Sequence, residues 1–486
     1  MEQDVDQMEG ASGKTSWLWN SYWLGAQNIL HGARFGNLIT ACLTGIVFGL
    51  LCLVSPWLAI GLCLVIVIFL ISLSNPIILC YLVISAIILM SGIERGRLIP
   101  VLSGNEVSLL GALAVALIIV LSDRRRKVVV TPYFGVAFLV LIGGTVIVPI
   151  ATYLLQGTQL TLGNSFKMAG LIQYFILFWL FTALPQSKDD RRKIIWWMLA
   201  FGSLVAVIGL LQGLGIGMVK RLLVSLYSSS HELMASRAGR ITSLLGSWNS
   251  LGIFMMSIII ICWAVLFDIK RASGRLLIMG MMALSALCLI ASGSFAGIVG
   301  TVIGLFIIQL LNHRGARTAP ILILGFIGVI LSIFIFYPFL QPLIEKRLSY
   351  QYRYGGMIPE TLLFRFKIWS EIFIPAIRQH FPLPVYPTVP STFAWQFEES
   401  QYILLLFRTG LAGFASYLIW IVITIGWLYR SCQRSTGFDR SIASAALTII
   451  VMLIIAGFTN EVFSFSGTID YLWMMLALVA NNSEKI

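Results

Sequence analysis

The chain has 486 residues, of which 58% are hydrophobic and only 11% are charged, and its mean hydropathy is +0.92. A soluble domain carries roughly 25% charged residues, so this composition excludes a soluble globular protein and indicates a polytopic membrane protein. The net charge is +13. An excess of Lys and Arg is an ordinary property of cytoplasmic loops in membrane proteins, so the charge does not indicate a nucleic-acid partner.

The cysteines and histidines do not predict disulfides or metal sites. Every cysteine except Cys432 lies in an apolar segment, where a free thiol behaves as a small hydrophobic side chain. The four histidines are scattered, and no CxxC pair or Cys/His metal spacing occurs. The sequence also lacks a Walker loop, a dinucleotide fingerprint and an HExxH motif. We therefore expect no metal and no cofactor.

Fourteen apolar runs are about long enough to cross a bilayer. Three are closely spaced and two are short, so we predict an all-α polytopic membrane protein with 12 to 14 transmembrane helices. The predicted spans are 37–54, 57–73, 76–92, 107–122, 133–153, 168–184, 194–214, 251–267, 276–291, 294–311, 320–338, 402–428, 442–459 and 468–481. The predicted parts are a cytoplasmic segment 1–36, a bundle 37–338 with an external loop 215–250, a large, partly helical extracytoplasmic loop 339–401, and C-terminal helices 402–481.

The short loops alternate in charge along the chain. Five of them are rich in Lys and Arg, whereas the short loops between them hold almost none, Lys167 being the exception. Cytoplasmic loops carry such an excess, so these five loops, and both termini, are predicted to be cytoplasmic. The five are "DRRRK" (123–127), "KDDRRK" (188–193), "DIKRASGR" (268–275), "NHRGART" (312–318) and "RSCQRSTGFDR" (430–440).

The two large segments predicted to be external, 215–250 and 339–401, are also rich in Lys and Arg. They depart from the rule that this excess lies in cytoplasmic loops. Arginine presents a planar set of donors that matches phosphate or carboxylate, so we predict an anionic ligand at the outer face. Arg240 and Arg365 are the first candidates, since each adjoins an apolar span or the amphipathic stretch 359–377, where an unused charge would be costly. Pairing with the loops' own acids or with lipid headgroups is the alternative. The second candidates are Arg237, Arg347, Arg353 and Arg378.

The stretch "EESQYILLLFRTGLAG" (398–413) places two carboxylates, Glu398 and Glu399, at the mouth of a predicted span. One interpretation is that Glu399 caps the helix with help from Ser400, because exposed N–H groups at a helix start favour a carboxylate. The other is that Glu399 is a general base that accepts the proton of an attacking hydroxyl group. Glu461, in "TNEVFSFSG", is a second external carboxylate with the same two interpretations.

Arg408 lies inside the same predicted span, half a turn out of phase with Glu399 and on the face of Gln401. A direct pair between Arg408 and Glu399 is therefore not expected unless the helix bends. An arginine within the membrane must face protein or a water-filled cavity, so the Arg408 face is expected to line an interior. Gly410 and Gly413 are expected to allow close helix packing.

This stretch resembles the signature of the O-antigen polymerase and ligase superfamily. In that signature a His, Asp or Glu followed by Asn or Ser precedes an aromatic or leucine position, and a Gly-x-x-Gly follows in the same helix. Glu399, Ser400 and Tyr402 match the first part, and Gly410 and Gly413 match the second.

Three other stretches resemble elements of the same superfamily. "RITSLLGSWNSLG" (240–252) resembles its arginine element through Arg240 and Asn249, and an Arg-x-x-x-Trp is matched by Arg365 and Trp369. "ASGSFAG" (291–297) stands where the superfamily has a Ser-Arg pair. The sequence departs from the pattern at Trp248, Ser243 and Gly293, which stand in place of a common proline, a common glycine and the arginine of the Ser-Arg pair.

The resemblance implies a GT-C-like, metal-independent, inverting glycosyltransferase in the bacterial cytoplasmic membrane, with its active site facing outside. The donor would be an oligosaccharide on undecaprenyl diphosphate and the acceptor another lipid-linked unit. Arg240 and Arg365 would bind the diphosphate, and Glu399 would be the base. The product would be O-antigen, capsule, exopolysaccharide or a teichuronic-type polymer, and a chain-length regulator and a flippase would be partners.

Two alternatives remain. A ligase of the same fold would transfer a finished glycan to another acceptor, although Glu399 stands where the ligases have a histidine, which favours polymerisation. A transporter of lipid-linked sugar is the second alternative, supported by the many spans and by Arg408. The sequence lacks an inverted repeat and paired Gly/Pro-broken helices, which are typical of many transporters.

Overall fold

The computed structural model of the protein describes residues 67, 69–93, 103–123, 132–158, 160–185, 187–226, 240–312, 341, 360–465 and 467–483. These residues are largely helical, and no strand occurs among them. The chain divides into two units, residues 1–74 and residues 75–486. Of the first unit, only Val67 and residues 69–74 are described, and they are helical.

The second unit contains sixteen α-helices in its described residues. Two π-helical segments, Gly143–Ile147 and Trp369–Phe373, and one 3-10 segment, Ala169–Leu171, each join two of these helices end to end. The helices are α1 Ile77–Met90, α2 Gly104–Ser122, α3 Pro132–Ile142, α4 Val148–Leu155, α5 Leu162–Met168, α6 Ile172–Ala183, α7 Lys188–Gly213, α8 Gly217–Leu226, α9 Trp248–Leu266, α10 Ala272–Ser292, α11 Phe295–Asn312, α12 Glu360–Ile368, α13 Ile374–His380, α14 Gln401–Arg434, α15 Gly437–Ala456 and α16 Thr468–Ser483.

The described helices are those of a multi-pass membrane protein. Eight helical stretches among them are long and apolar enough to cross a bilayer, and three shorter helices are apolar. Each predicted span that falls within the described residues coincides with a helical stretch, and α12 and α13 form the helix predicted at 359–377. The predicted spans 37–54 and 320–338, and most of 57–73, lie outside the described residues. The total of 12 to 14 spans therefore stays a prediction.

Helix α9 forms the centre of the bundle. Its side chains from Ser250 to Leu266 are all buried, and it packs against α10, α11 and α15. A helix that is apolar on every side is expected to be enclosed by other helices. The outer helices instead carry exposed apolar side chains, such as Leu121, Leu139 and Val422, which form a surface suited to lipid.

Segments predicted to be cytoplasmic meet at one end of the bundle. Lys188 and Arg191, at the start of α7, bind the two carboxylate oxygens of Asp439 at 3.1 and 3.2 Å. Arg440 donates to the Leu311 carbonyl at the end of α11, at 2.8 Å. These contacts join two of the five basic segments to each other and to the helix that leads into a third, as one consistent topology requires.

Two of those basic segments are helix ends rather than the predicted loops. Helix α7 begins at Lys188, because Ser187 and Asp190 form a reciprocal capping box there. Helix α14 continues to Arg434, and α15 begins at Gly437. The prediction of loops at 188–193 and 430–440 was wrong because hydropathy marks where a span leaves the apolar layer and does not mark where the helix ends.

Helix α14 is broken at Gly410, although 402–428 was predicted as one span. Gly410 has a φ of 66° and a ψ of −165°, which is outside helical geometry. The break frees backbone groups that must find new partners. The Val385 N–H donates to the Phe407 carbonyl at 2.8 Å, and the Leu411 N–H donates to the Pro382 carbonyl at 2.9 Å. The external segment before α14 thus replaces the hydrogen bonds that the break removes.

Gly413 confirms the expected close helix packing, whereas Gly410 has a different role. A Cβ atom at Gly413 would lie 3.1 Å from the carbonyl oxygen of Gly144, in the π-helical segment after α3. At Gly410 a Cβ atom would lie 2.7 Å from the Pro382 carbonyl oxygen and 2.8 Å from the Pro384 nitrogen. Gly410 is therefore needed for its backbone conformation and for the approach of the external segment.

We predict that Gly410→Ala destabilises the protein, because a left-handed conformation costs a residue with a side chain about 1–3 kcal/mol and the new methyl group would contact backbone. The matched control is Gly426→Ala in the same helix, where a Cβ atom meets nothing within 4 Å. That change should be neutral or stabilising by up to about 1 kcal/mol. Thermal unfolding of the purified variants in detergent measures both changes, and equal effects would contradict the role assigned to Gly410.

Candidate functional site

The residues that precede α14 are tied to the loop between α15 and α16. The Gln401 N–H donates to the carbonyls of Gly457 and Asn460 at 2.9 and 3.0 Å, and the Ser400 hydroxyl donates to the Gly457 carbonyl at 3.2 Å. No side chain caps the start of α14. The interpretation of Glu399 and Ser400 as a side-chain helix cap is therefore wrong, because carbonyls of the neighbouring loop accept from the first N–H group.

Two consecutive carboxylates bind two different arginines. Arg408 donates from Nε and Nη2 to the two oxygens of Glu398, at 2.5 and 2.8 Å. Arg365 donates from Nε and Nη2 to one oxygen of Glu399, at 3.1 and 3.0 Å. The Glu398 side chain is fully buried, whereas the Glu399 side chain is 25% exposed. The first pair therefore buries its carboxylate while Arg408 is 27% exposed, and the second pair leaves both side chains partly exposed, with Arg365 at 17%.

The backbone of Glu399 explains why the two carboxylates diverge. Its φ is 56°, in the left-handed region that residues with a side chain rarely adopt. At this residue the two side chains diverge, Glu398 toward Arg408 and Glu399 toward Arg365. The Trp369 indole N–H donates to the Glu398 carbonyl at 2.8 Å. Arg365 and Trp369 are four residues apart along one helical stretch and so share a face. From that face Arg365 contacts Glu399, and Trp369 contacts Glu398.

The expectations for Arg408 agree with its surroundings. Arg408 pairs with Glu398 rather than with Glu399. Its carbonyl, freed by the break at Gly410, accepts from the Tyr153 hydroxyl at 2.9 Å. Arg408 and Gln401 both line a cavity of about 380 Å³, so their shared face does line an interior.

Irregular helices border this cavity. Thr145 lies in the π-helical segment after α3, Gly170 lies in the 3-10 segment before α6, and Thr409 directly precedes the break in α14. Departures from regular helix often occur at functional sites. A volume of this size fits a small ligand or one sugar unit of a larger ligand. The lining residues are Ile93, Ser103, Leu141, Thr145, Met168, Gly170, Leu171, Gln173, Tyr174, Pro387, Gln401, Leu404, Leu405, Arg408, Thr409, Tyr417, Phe463 and Ser464.

Glu461 is the third carboxylate of the site. One of its oxygens accepts the Glu399 backbone N–H at 3.0 Å. Burial, and next the charge of Glu398, raises the pKa of Glu461 to about 7, although Arg408 acts in the opposite direction. With both arginines already paired to Glu398 and Glu399, the described site holds one more carboxylate than guanidinium groups. Glu461 is therefore the group whose ionisation changes the net charge of the site near neutral pH.

The site's residues do not form a recognisable metal centre. In the part of the chain that the structure describes, no group of three His, Cys, Asp or Glu is arranged to hold a metal ion. Glu398 and Glu399 face their arginines instead.

The other predicted site residues lie at several places. The guanidinium carbon of Arg240 stands 4.9 Å from the centre of the Trp248 ring, and Asn249 is half-buried in the first turn of α9. Arg378 is exposed near the end of α13. The Tyr402 hydroxyl donates to the Ile454 carbonyl at 2.7 Å, which ties α14 to α15. The convergence of Arg240 with Arg365 stays a prediction, and Arg237, Arg347 and Arg353 lie outside the described residues.

Several residues of the site were missed in the sequence. Gln173 and Tyr174 line the cavity, and the Tyr153 hydroxyl supports the Arg408 carbonyl. A polar side chain inside a predicted span is itself a sign of function, and this sign applies to Gln173 within 168–184. The Gly143–Gly144 pair within 133–153 was a further sign of irregular helix.

No protein-family model and no curated protein matches this chain.

We predict that Arg408→Ala destabilises the protein by about 3–5 kcal/mol, because it leaves the buried Glu398 carboxylate without its partner. The double variant Arg408→Met with Glu398→Gln should recover part of this loss, since no unpaired charge remains. The control is Arg192→Ala, whose pair with Asp189 is exposed and 3.7 Å long, so its loss should cost at most about 1 kcal/mol. Thermal unfolding in detergent gives all three values. A double variant less stable than Arg408→Ala would contradict this account.

The pKa of Glu461 predicts how stability varies with pH. The folded protein holds this proton up to about pH 7, whereas an ordinary glutamate loses it near pH 4.5. Between these values the folded state binds more protons than the unfolded state, so this group's contribution to stability is lost as pH rises. Glu461→Gln cannot titrate. The melting temperature of the wild-type protein should therefore fall more than that of Glu461→Gln between pH 5 and 7, and parallel curves would contradict the shift.

Proposed function

We propose that the chain is a membrane glycosyltransferase that polymerises oligosaccharide units carried on undecaprenyl diphosphate, at the outer leaflet of a bacterial cytoplasmic membrane. The observation that carries the proposal is the pair of Arg365 and Glu399 at the end of the bundle that the charge rule predicts to be external. These are a phosphate-binding group and a proton acceptor within hydrogen-bond distance of each other. The cavity is lined by Arg408 and Gln401, from the helix that Glu399 precedes, whereas Arg365 and Glu399 are not among its lining residues.

The proposed reaction uses the two groups in sequence. In the ion pair, Arg365 donates two hydrogen bonds to Oε2 of Glu399, so that oxygen is not free to accept a proton from an acceptor hydroxyl. A diphosphate offers Arg365 a stronger bidentate partner, so donor binding would draw Arg365 away and release Glu399. An acceptor hydroxyl then loses its proton to Glu399 as its oxygen attacks the anomeric carbon. The bond from that carbon to the diphosphate breaks, and the diphosphate leaves with the electron pair.

Fixed positive charge is enough to stabilise the departing diphosphate. A preorganised guanidinium group acts where the negative charge develops, so the proposal needs no metal. Attack opposite to the leaving group inverts the anomeric centre. Arg240 and the predicted external arginines Arg237, Arg347, Arg353 and Arg378 would add positive charge around the diphosphate.

The cavity supports a sugar ligand on chemical grounds. Tyr174, Tyr417 and Phe463 line it with aromatic rings, and Gln173 and Gln401 line it with amides that both donate and accept. Aromatic rings and planar hydrogen-bonding groups together suit a sugar, which presents apolar ring faces and an edge of hydroxyl groups. The charge of Arg408 is balanced by Glu398, which also suits a neutral unit better than a second anion.

The broken helix supports a second candidate function. Broken helices that border a polar cavity form the substrate sites of many secondary transporters, and α14 breaks at Gly410 beside the cavity-lining Arg408. A transporter would move the lipid-linked oligosaccharide without forming a bond. A ligase would instead form one bond to an acceptor outside the lipid-linked pool. The products distinguish the three: a ladder of lengths, a single transfer, or exchange across the membrane alone.

Proteoliposomes supplied with a panel of undecaprenyl-diphosphate oligosaccharides test the proposal. We expect the wild-type protein to form a ladder of products. Glu399→Gln should slow turnover about 10²–10⁴-fold through loss of the base, and Arg365→Ala about 10²–10³-fold through loss of the fixed charge. Gel electrophoresis of the labelled glycans measures both rates.

The matched controls are Lys367→Ala and Glu371→Gln, which remove one exposed cation and one exposed carboxylate from the same helical stretch. Neither should change the rate more than about twofold, since exposed charges contribute little. Full-rate polymerisation by Glu399→Gln and Arg365→Ala would refute the assignment of the site. Counterflow of the labelled lipid without a new glycosidic bond would refute the transferase and favour the transporter.

A further inference from the structure

Glu461 has no part in the proposed bond-forming step, yet it contacts the base directly. Its oxygen accepts the backbone N–H of Glu399 at 3.0 Å. Glu461 immediately precedes the 3-10 turn Val462–Ser464. Both backbone polar groups of Phe463, in the middle of that turn, are hydrogen-bonded. The Phe463 carbonyl accepts from the Tyr174 hydroxyl at 2.9 Å, and the Phe463 N–H donates to the Gln401 side chain at 3.0 Å. The turn that follows Glu461 is therefore anchored, and it positions the Glu461 side chain against Glu399.

Glu399 needs a support of this kind. Its φ of 56° is unfavourable for a residue with a side chain and persists only where the surroundings hold it. The Trp369 indole holds the carbonyl of the preceding residue, Glu398, and the Glu461 carboxylate holds the N–H of the same peptide group. The peptide between Glu398 and Glu399 is thus fixed at both of its polar atoms, one from the external helix and one from the loop after α15.

We propose that Glu461 is a positioning residue for Glu399: by accepting the N–H of the Glu398–Glu399 peptide, it keeps the left-handed turn that directs Glu398 to Arg408 and Glu399 to Arg365. Without this acceptor, the peptide would rotate to an ordinary extended conformation, and the Glu399 side chain would leave Arg365. The catalytic consequence rests on the proposed function, but the geometric claim does not.

Two substitutions separate the hydrogen bond from the charge. Glu461→Gln keeps a side-chain oxygen at the same reach and removes the charge. Glu461→Asp keeps the charge and withdraws the oxygen by one methylene group, beyond hydrogen-bond distance of the Glu399 N–H. Asn460→Ala is the matched control, because it removes the neighbouring side chain's hydrogen bonds to the Ala456 carbonyl and the Thr459 hydroxyl without touching Glu399.

Two measurements on the full-length protein in nanodiscs test the Glu461–Glu399 hydrogen bond and the Arg365–Glu399 pair without any substrate. Amide exchange followed by mass spectrometry should show the Glu399 N–H protected in the wild-type protein, in Glu461→Gln and in Asn460→Ala. In Glu461→Asp it should exchange about tenfold faster, the size of shift expected when a single hydrogen bond is lost. Modification of Arg365 by phenylglyoxal should rise in Glu461→Asp alone, with the exposed Arg378 as the internal reference.

Turnover then tests the catalytic part. If Glu461 acts by positioning the base, Glu461→Asp lowers kcat about tenfold or more with little change in KM, and Glu461→Gln restores kcat to within about threefold. A defect in Glu461→Gln with normal Glu461→Asp would show that the charge matters rather than the hydrogen bond, and would overturn the proposal. Unchanged exchange and Arg365 modification in Glu461→Asp would overturn it as well. A wild-type protein without transferase activity refutes the proposed function, while the exchange and modification data still decide the geometry.

Discussion

The geometry of the site depends on one peptide group, the one that joins Glu398 to Glu399. Its left-handed turn sends one carboxylate inward to Arg408 and the next outward to Arg365. Two separate parts of the chain bind this peptide, the external helix through the Trp369 indole and the loop after α15 through Glu461. Helix α14 binds the adjacent Glu398 side chain through Arg408.

The break in α14 at Gly410 is the second feature that positions Arg408, because it changes the hydrogen bonding of the backbone around that residue. An unbroken helix would bond the carbonyls around Arg408 to the next turn. The break frees them instead for Val385 and for the Tyr153 hydroxyl. The first nine residues of α14 are thus held by side chains and loops on all sides, while the remainder packs as a regular helix. Such non-helical backbone within a span is tolerated only where protein or a cavity surrounds it, as the cavity beside Arg408 does here.

Hydropathy predicted the spans well because the bilayer imposes a length on every crossing helix. Pairing with the loops' own acids was only the alternative interpretation of Arg365 in the sequence, and the pair of Arg365 with Glu399 is such a contact. Two features could not be predicted. Gly410 is indistinguishable in sequence from Gly413, although only Gly410 has a positive φ. The partner of Arg408 was also hidden, because a backbone turn at Glu399, which leaves no mark in residue type, decides that Glu398 rather than Glu399 faces inward.

The charge balance of the site gives the proposed reaction an internal order. Arg365 and Arg408 are both already paired with carboxylates, so in the proposed reaction an entering diphosphate would have to compete with Glu399 for Arg365. It would gain Arg365 by displacing Glu399, and that exchange would also expose the proposed base. The buried Glu398 would offer no such exchange, because Arg408 is its ionic partner among the described residues and losing it would leave a buried charge uncompensated. Of two neighbouring glutamates of identical chemistry, burial therefore makes one a fixed structural partner and leaves the other able to be released by the substrate.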